Sequence, residues 1–579
     1  MIFLNGVCLV NVKNIFLSGS IVFLLVACDS GDITLAPSTV DNSTGSNTTT
    51  TSDNNPCAKY TEAGQTYQGT VDSNGHCLYT SSFVSSTNPI TVSVITFPAL
   101  SAGKYHLFDD ALYIGEDVNA NVAATGKRIP QEAEGTRLNV VAGNTMVFKQ
   151  AQGYVRIARG SQIYAEGTKT SPIIFTSDED AILGTATESS RGDWGGIQIN
   201  GNGKTNKCHD GTSTGSGSGS TSQYAATSNN VHNCHVTAEG KPATYGGNNQ
   251  AENSGVLKYV VIKHAGFEVV DGDELNALTL NGVGSGTTID HVQVYTSQDD
   301  GFEMFGGAVN LTHIVAVNVG DDSIDYSEGY QGSIQYAVVV HTSGSNRCIE
   351  GDNTGGSRAD DITPLTMLKI SNMTCITSGI DSNKGTNTTS KGDSEGPLFR
   401  EGAHFEIYNS IVTSNAAAMA SNECFELDDS EGPQTIDAAQ AGTSKAKSNV
   451  IACTEPLKAG ADTANNGFDK AQLATWLAGG AGTTLNPTNS NTNNVVITTT
   501  TSSGPAASLI TDGVGKRGYL TAATITNTSG ATAFDQSTQL FAANSLGGIF
   551  ATPTYLGGAN AGDDWLAGWT VGLSAALNP

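Results

Sequence analysis

The sequence predicts an all-β fold, a parallel β-solenoid in which one repeat makes one coil, and three observations carry the prediction. First, IDHVQVYTSQDDGFEMFGGAVN (289–310) and LTHIVAVNVGDDSIDYSEGYQG (311–332) align without a gap, so Asp299 matches Asp321, Asp300 matches Asp322, Glu303 matches Asp325 and Gly307 matches Gly329. A fixed period in the low twenties with β-type alternation is the mark of stacked coils. Second, Gly is abundant (68 residues) while charged residues are only 14%, a balance that suits many tight corners and argues against a helical enzyme. Third, RLNVVAG, TMVFKQ, YVRIARGSQIYAEG and PIIFTSDED are short apolar strands split by Gly or polar corners.

The chain opens with Lys13 ahead of an apolar run from Ile15 to Ala27, too short for a permanent membrane span. The run ends Leu25-Val26-Ala27-Cys28, which resembles the bacterial lipobox. That resemblance implies a signal peptide over 1–27, cleavage before Cys28, and lipid on the Cys28 sulfur and new amino group. Membrane attachment would then place the protein in the bacterial envelope, at the outer membrane or the cell surface. Residues 28–56 are rich in Ser, Thr and Asn and read as a flexible tether. Residues 57–135 carry Asn74-Gly75, suited to a tight hairpin turn, and further strand patterns; they are expected to cap the solenoid's N-terminal end.

The solenoid proper is expected over 136–455, interrupted by polar excursions from Cys208 to about Asn253 and at 381–396. Beyond it, FDKAQLATWLAGG (468–480) is the one convincing helix pattern. The region 456–579 is assigned the task of covering the last coil, because an open sheet end invites pairing with other chains. With Cys8 and Cys28 set aside, eight cysteines remain in neighbouring pairs: Cys57 and Cys77, Cys208 and Cys234, Cys348 and Cys375, Cys424 and Cys453. In an oxidising compartment they read as four local disulfides joined in chain order.

WGGI (194–197), LTLNGVGSGTTIDHVQV (278–294), DDGFEMFGG (299–307), GDDSIDYSEG (320–329) and the closing WLAGWTVGL (565–573) together resemble a widespread group of bacterial envelope lipoproteins with a pectin-lyase-like fold. The resemblance covers roughly Thr136 to the C-terminus. It implies a right-handed parallel β-helix and an envelope location, without an established chemistry.

A net charge of −27 excludes binding to nucleic acid through phosphate neutralisation, and no P-loop or Rossmann fingerprint points to a nucleotide. The aspartates of the two repeats should stack as an acidic ladder at one corner, and three readings of it compete. Asp side chains satisfy turn N–H groups, which makes the ladder pure scaffold and the protein a structural surface protein. Stacked carboxylates also repel one another, and Asp299, Asp300, Asp321, Asp322 and Asp325 offer hard oxygen ligands to calcium. Finally, QDDGFE followed by VGDDSID resembles the aspartate motifs of polygalacturonase-type glycosidases. That resemblance implies that Asp300 and Asp321 activate water while Asp322 protonates the leaving oxygen. No Gly-His-Gly or Arg-x-Lys accompanies the motif, and His341, Arg347 and Lys369 are the basic residues nearby. Tyr326 and Tyr330 flank the corner as stacking platforms for a sugar, with Arg347 as a polar contact. The function expected is binding or adhesion to glycans or other extracellular ligands, with polysaccharide hydrolysis as the alternative. Trp194, between glycines, is expected in the core, and His209, His232 and His235 in an exposed loop.

Overall fold

The computed structural model describes residues 55–208, 234–270, 272–341, 344–353, 362–378, 394–414, 423–429, 434–453, 455–459, 468–480, 489–498, 524–526, 532–560 and 562–573. The signal segment, Cys28, most of the tether, His209 and His232 lie outside them. The strands of the central coils are numbered β1 (Gly255–Ala265), β2 (Leu278–Asn281), β3 (Thr288–Ser297), β4 (Phe302–Phe305), β5 (Asn310–Val319), β6 (Ile324–Ser327), β7 (Ser333–Val340), β8 (Glu350–Gly351) and β9 (Met367–Thr377). The odd strands pair in parallel, in order, into one long sheet. The even strands do the same in a second sheet. Ile289 pairs with Leu311 and Phe302 with Ile324, both 22 residues on, so the sequence repeat equals one coil.

Each odd strand bends at a left-handed residue: Tyr259, His291, His313, Tyr336 and Asn372 have φ of 47°, 57°, 53°, 63° and 61°. None is glycine, so each carries roughly 1–3 kcal/mol of backbone strain. Stacking offsets part of it: the Tyr259, His291, His313 and Tyr336 rings follow one another with centroids 4.3, 4.3 and 5.1 Å apart. The bend also turns the two halves of each strand toward different surroundings. Leu257, Ile289, Leu311 and Ile334 from the first halves and Val260, Val292, Ile314 and Ala337 from the second fill the interior.

Parallel pairing starts earlier than position 136. Val94–Phe97 pairs with Arg137–Val140 and Leu112–Ile114 with Tyr154–Ile157, so the expected cap over 57–135 already contains coil strands. The true end is closed by a cluster of Tyr60, Tyr79, Phe83, Phe97 and Phe108 rings, tied by the Cys57–Cys77 disulfide. Cys208–Cys234, Cys348–Cys375 and Cys424–Cys453 are also bridged, with Cα atoms 5.6, 6.1 and 6.3 Å apart. Trp194 is in the core as expected, stacked on Phe148 with centroids 4.6 Å apart.

The region beyond 456 divides into two tasks. The helix Lys470–Leu477 starts on an Asp469 capping box and sends Leu473, Trp476 and Leu477 into the core at the last coils. A second helix, Gln434–Ala441, was not apparent from the sequence. The final stretch does not cover the last coil as expected. It runs back along the outside of the long sheet as a strap. Asn409 exchanges two hydrogen bonds with the backbone of Phe541 (2.8 and 2.9 Å), Gln335 with Ala551 (2.7 and 3.1 Å), and Gln293 with Val571 (2.8 and 2.7 Å). The physical reason is that the second halves of the long strands are apolar on both faces. Val261, Val315, Val317, Val338 and Val340 point outward and are buried under Leu556, Trp565, Leu566, Trp569 and Leu573.

Candidate functional site

The even sheet alternates strictly. Leu278, Leu280, Phe302, Met304, Ile324 and Tyr326 fill the core, while Thr279, Glu303, Asp325 and Glu350 align in register on the other face. One corner before these strands, a second line forms. The Asp300 N–H donates to Asn276 Oδ1 (3.1 Å), the Asp322 N–H to Asp300 Oδ1 (2.8 Å) and the Arg347 N–H to Asp322 Oδ1 (2.7 Å). Asp300 therefore stacks on Asp322 as the repeat implies, and each carboxylate also holds the next coil's backbone.

The two lines merge into interlocking triads. Carboxylate oxygens of Asp299, Asp300 and Asp321 lie within 4.8 Å of one another, as do those of Asp300, Glu303 and Asp325, and of Asp322, Asp325 and Glu350. All of these donors are hard oxygens, the set calcium takes in irregular cages. Burial and then mutual repulsion push the Asp300, Glu303, Asp322 and Asp325 carboxyls well above the ordinary range. Glu350 rises to about 7, from burial, although the Arg400 guanidinium 2.9 Å away pulls the other way. Asp325 Oδ1 is buried without a hydrogen-bond partner among the described residues. A buried acceptor with no donor is costly, and it sits where a cation would meet it.

Three sequence-predicted ligand contacts are corrected. Tyr326 and Tyr330 are fully buried; their hydroxyls donate to the carbonyls of His404 (3.3 Å) and Val309 (2.7 Å), so neither offers a ring to a sugar. The alternation of β6 points Tyr326 inward, and Tyr330, in the turn after it, packs at 6.1 Å from the Tyr326 ring. Arg347 is held between Glu395 and Glu426 (2.9 Å to the latter) and is spent on them. His341 is core as well, between the Ser323 (3.1 Å) and Ser394 (2.9 Å) hydroxyls, and burial lowers it to about 3.

Carboxylates that the sequence reading did not assign to the site complete the face. Glu303 and Glu350 belong to the row through register alone. Glu239 arrives from outside it, with the excursion that follows Asn200, while Asp273 comes from the hairpin Glu268–Val270 with Asp273–Glu274 and Glu328 directly follows β6. Arg159 secures that excursion by donating to the carbonyls of Cys234 (2.9 Å) and Gly246 (2.8 Å), and it bonds the His235 ring (3.1 Å). Burial and the guanidinium lower His235 to about 4. A short hairpin, Val236–Thr237 with Thr244–Tyr245, then sets Glu239 within electrostatic reach of Glu303.

Stacked parallel coils with an inward apolar alternation and a row of carboxylates on one outer face define a parallel β-helix with an acidic flank. Residues 123–490 match the pectate-lyase-like β-helix domain family, and the chain belongs to it. No curated protein and no solved structure matches the chain.

Proposed function

We propose that this protein is a lipid-anchored β-helix of the bacterial envelope whose acidic flank binds extracellular glycans, with calcium seated among its carboxylates. The observation that carries the reading is the merged triads, with Asp325 Oδ1 buried and unpartnered at their centre. Like charges this close in a partly dehydrated site are costly, and a divalent cation relieves the repulsion. Asp299, Asp300, Asp321, Asp325 and Glu303 would hold the ion. A bound cation would supply positive charge to hydroxyl and carboxylate groups of a polysaccharide lying along the flank.

The hydrolase reading needs an acid and a base open to a scissile bond. Asp300 and Asp322 are instead buried, and each spends an oxygen on the backbone of the next coil. Binding is therefore favoured over cleavage.

Calorimetric titration with millimolar calcium tests the cation. A ligand held by the folded state raises the melting temperature by mass action, and Asp321→Ala is expected to remove most of the response. A flat titration overturns the calcium reading. A polysaccharide panel, with and without calcium, tests the glycan. Release of reducing ends that Asp322→Asn abolishes would replace binding by hydrolysis.

A further inference from the structure

Beside the acidic row lies an open cavity of about 250 Å³, lined by Lys207, Glu239 and Tyr245 on one side and by Asp273, Phe305 and Glu328 on the other. Its carboxylates are not equivalent. Glu328 is ion-paired with Lys207 and accepts hydrogen bonds from the hydroxyls of Tyr245 and Thr205, the latter at 3.2 Å. Asp273 accepts the Gly240 N–H at 2.7 Å. The Glu239 carboxyl makes no hydrogen bond or ion pair among the described residues. It is half-buried and pushed up to about 7, by burial first and then by Glu274. Among the described residues the cavity therefore holds one acceptor without a donor, in a negative field. Its aromatic wall already receives a cation, since the Lys207 ammonium stands 6.0 Å over the Phe305 ring.

We infer that this cavity is a subsite for a hexosamine unit with a free amino group, its ammonium on Glu239 and the C–H face of its ring on Phe305. The inference rests on the glycan-binding reading above and names the sugar class that one position would select. The volume lies just below the ~300–1,000 Å³ typical of small-molecule pockets, which fits a single pyranose ring rather than an oligosaccharide. An aromatic face with a few placed polar groups is the ordinary composition of such pockets. An N-acetylated sugar lacks the charge that Glu239 is placed to meet, and it adds bulk.

The test is binding of glucosamine, N-acetylglucosamine, glucose and butylamine to the oxidised full-length protein, by calorimetry at pH 7. Glucosamine is expected to bind about ten- to a hundredfold tighter than the others, the usual margin for a hydrogen bond between charged groups. Glu239→Gln should remove that margin without lowering the melting temperature, because it deletes a carboxyl whose ionisation burial disfavours. Lys207→Met, which removes a competing ammonium, should tighten glucosamine. Equal binding of glucosamine and N-acetylglucosamine overturns the inference while leaving a glycan-binding protein. Butylamine as tight as glucosamine overturns it in favour of a general amine site. No binding of any of the four, with polysaccharide still bound, places the glycan elsewhere on the flank and also overturns it.

Discussion

The two outer faces of the coil make an instructive pair. The long sheet presents valines outward and is sealed by the strap, with Trp565 and Trp569 edge-on to the stacked His291 and His313 rings. The short sheet presents Glu303, Asp325 and Glu350 outward and keeps them close enough to repel. One face contributes stability by burying apolar surface. The other gives stability up by crowding charge, which a fold tolerates where a ligand completes the site. The comparison teaches that the strap supplies some of the margin the flank consumes.

The largest test of that comparison is on the sealed side. Trp565 is buried and its indole donates to the Gly558 carbonyl at 3.0 Å. Trp565→Ala is expected to cost about 3–5 kcal/mol in a denaturant melt, as other buried aromatic deletions do. Next comes an amide clamp. Gln335→Ala strands the Ala551 N–H and carbonyl together and is expected to cost about 1–3 kcal/mol.

The buried carboxyls, on that face and off it, are probed by pH. Glu239, Glu252 and Glu350 rise to about 7 and Glu395 to about 8, all chiefly through burial. In the unfolded chain these groups return to about 4.3. Between those values the folded form holds protons that the unfolded chain has released, so stability falls as pH rises from about 4.3 toward 8. Calcium-free protein should melt lower at pH 8 than at pH 5, and calcium should narrow the difference. A melt that climbs between pH 5 and 8 would show that these carboxylates are not buried as described. The smallest effect is expected from Asp325→Asn. Removing one charge from the row, and adding a donor beside Glu350, should stabilise the calcium-free protein by about 1 kcal/mol at pH 8. The calcium response should shrink in the same variant.

The repeat made the stacking legible: Asp300 over Asp322 and Glu303 over Asp325 follow from a period that a reader can count. The disulfides were legible too, because each pair is local. What lay hidden depended on the third dimension. Tyr326 looked available until strand alternation sent it inward. Glu239 comes from an excursion with no repeat to index it. The strap was misread because VVV in β7 and IVAV in β5 look like ordinary core strands, and sequence does not say that both of their faces are covered.

The clamp between Gln293 and Val571 joins residues 278 positions apart. The coils can begin to stack as soon as their own strands exist, since each contacts chiefly its neighbours. The seal cannot form until residues as far along as Val571 have been made and folded back over β3. A chain without the strap would carry an uncovered stripe of valines along several coils. Such stripes adhere to other chains and draw chaperones and proteases. The strap thus acts as a late check on folding: a molecule whose strap is seated differs from one with coils alone in having that stripe covered.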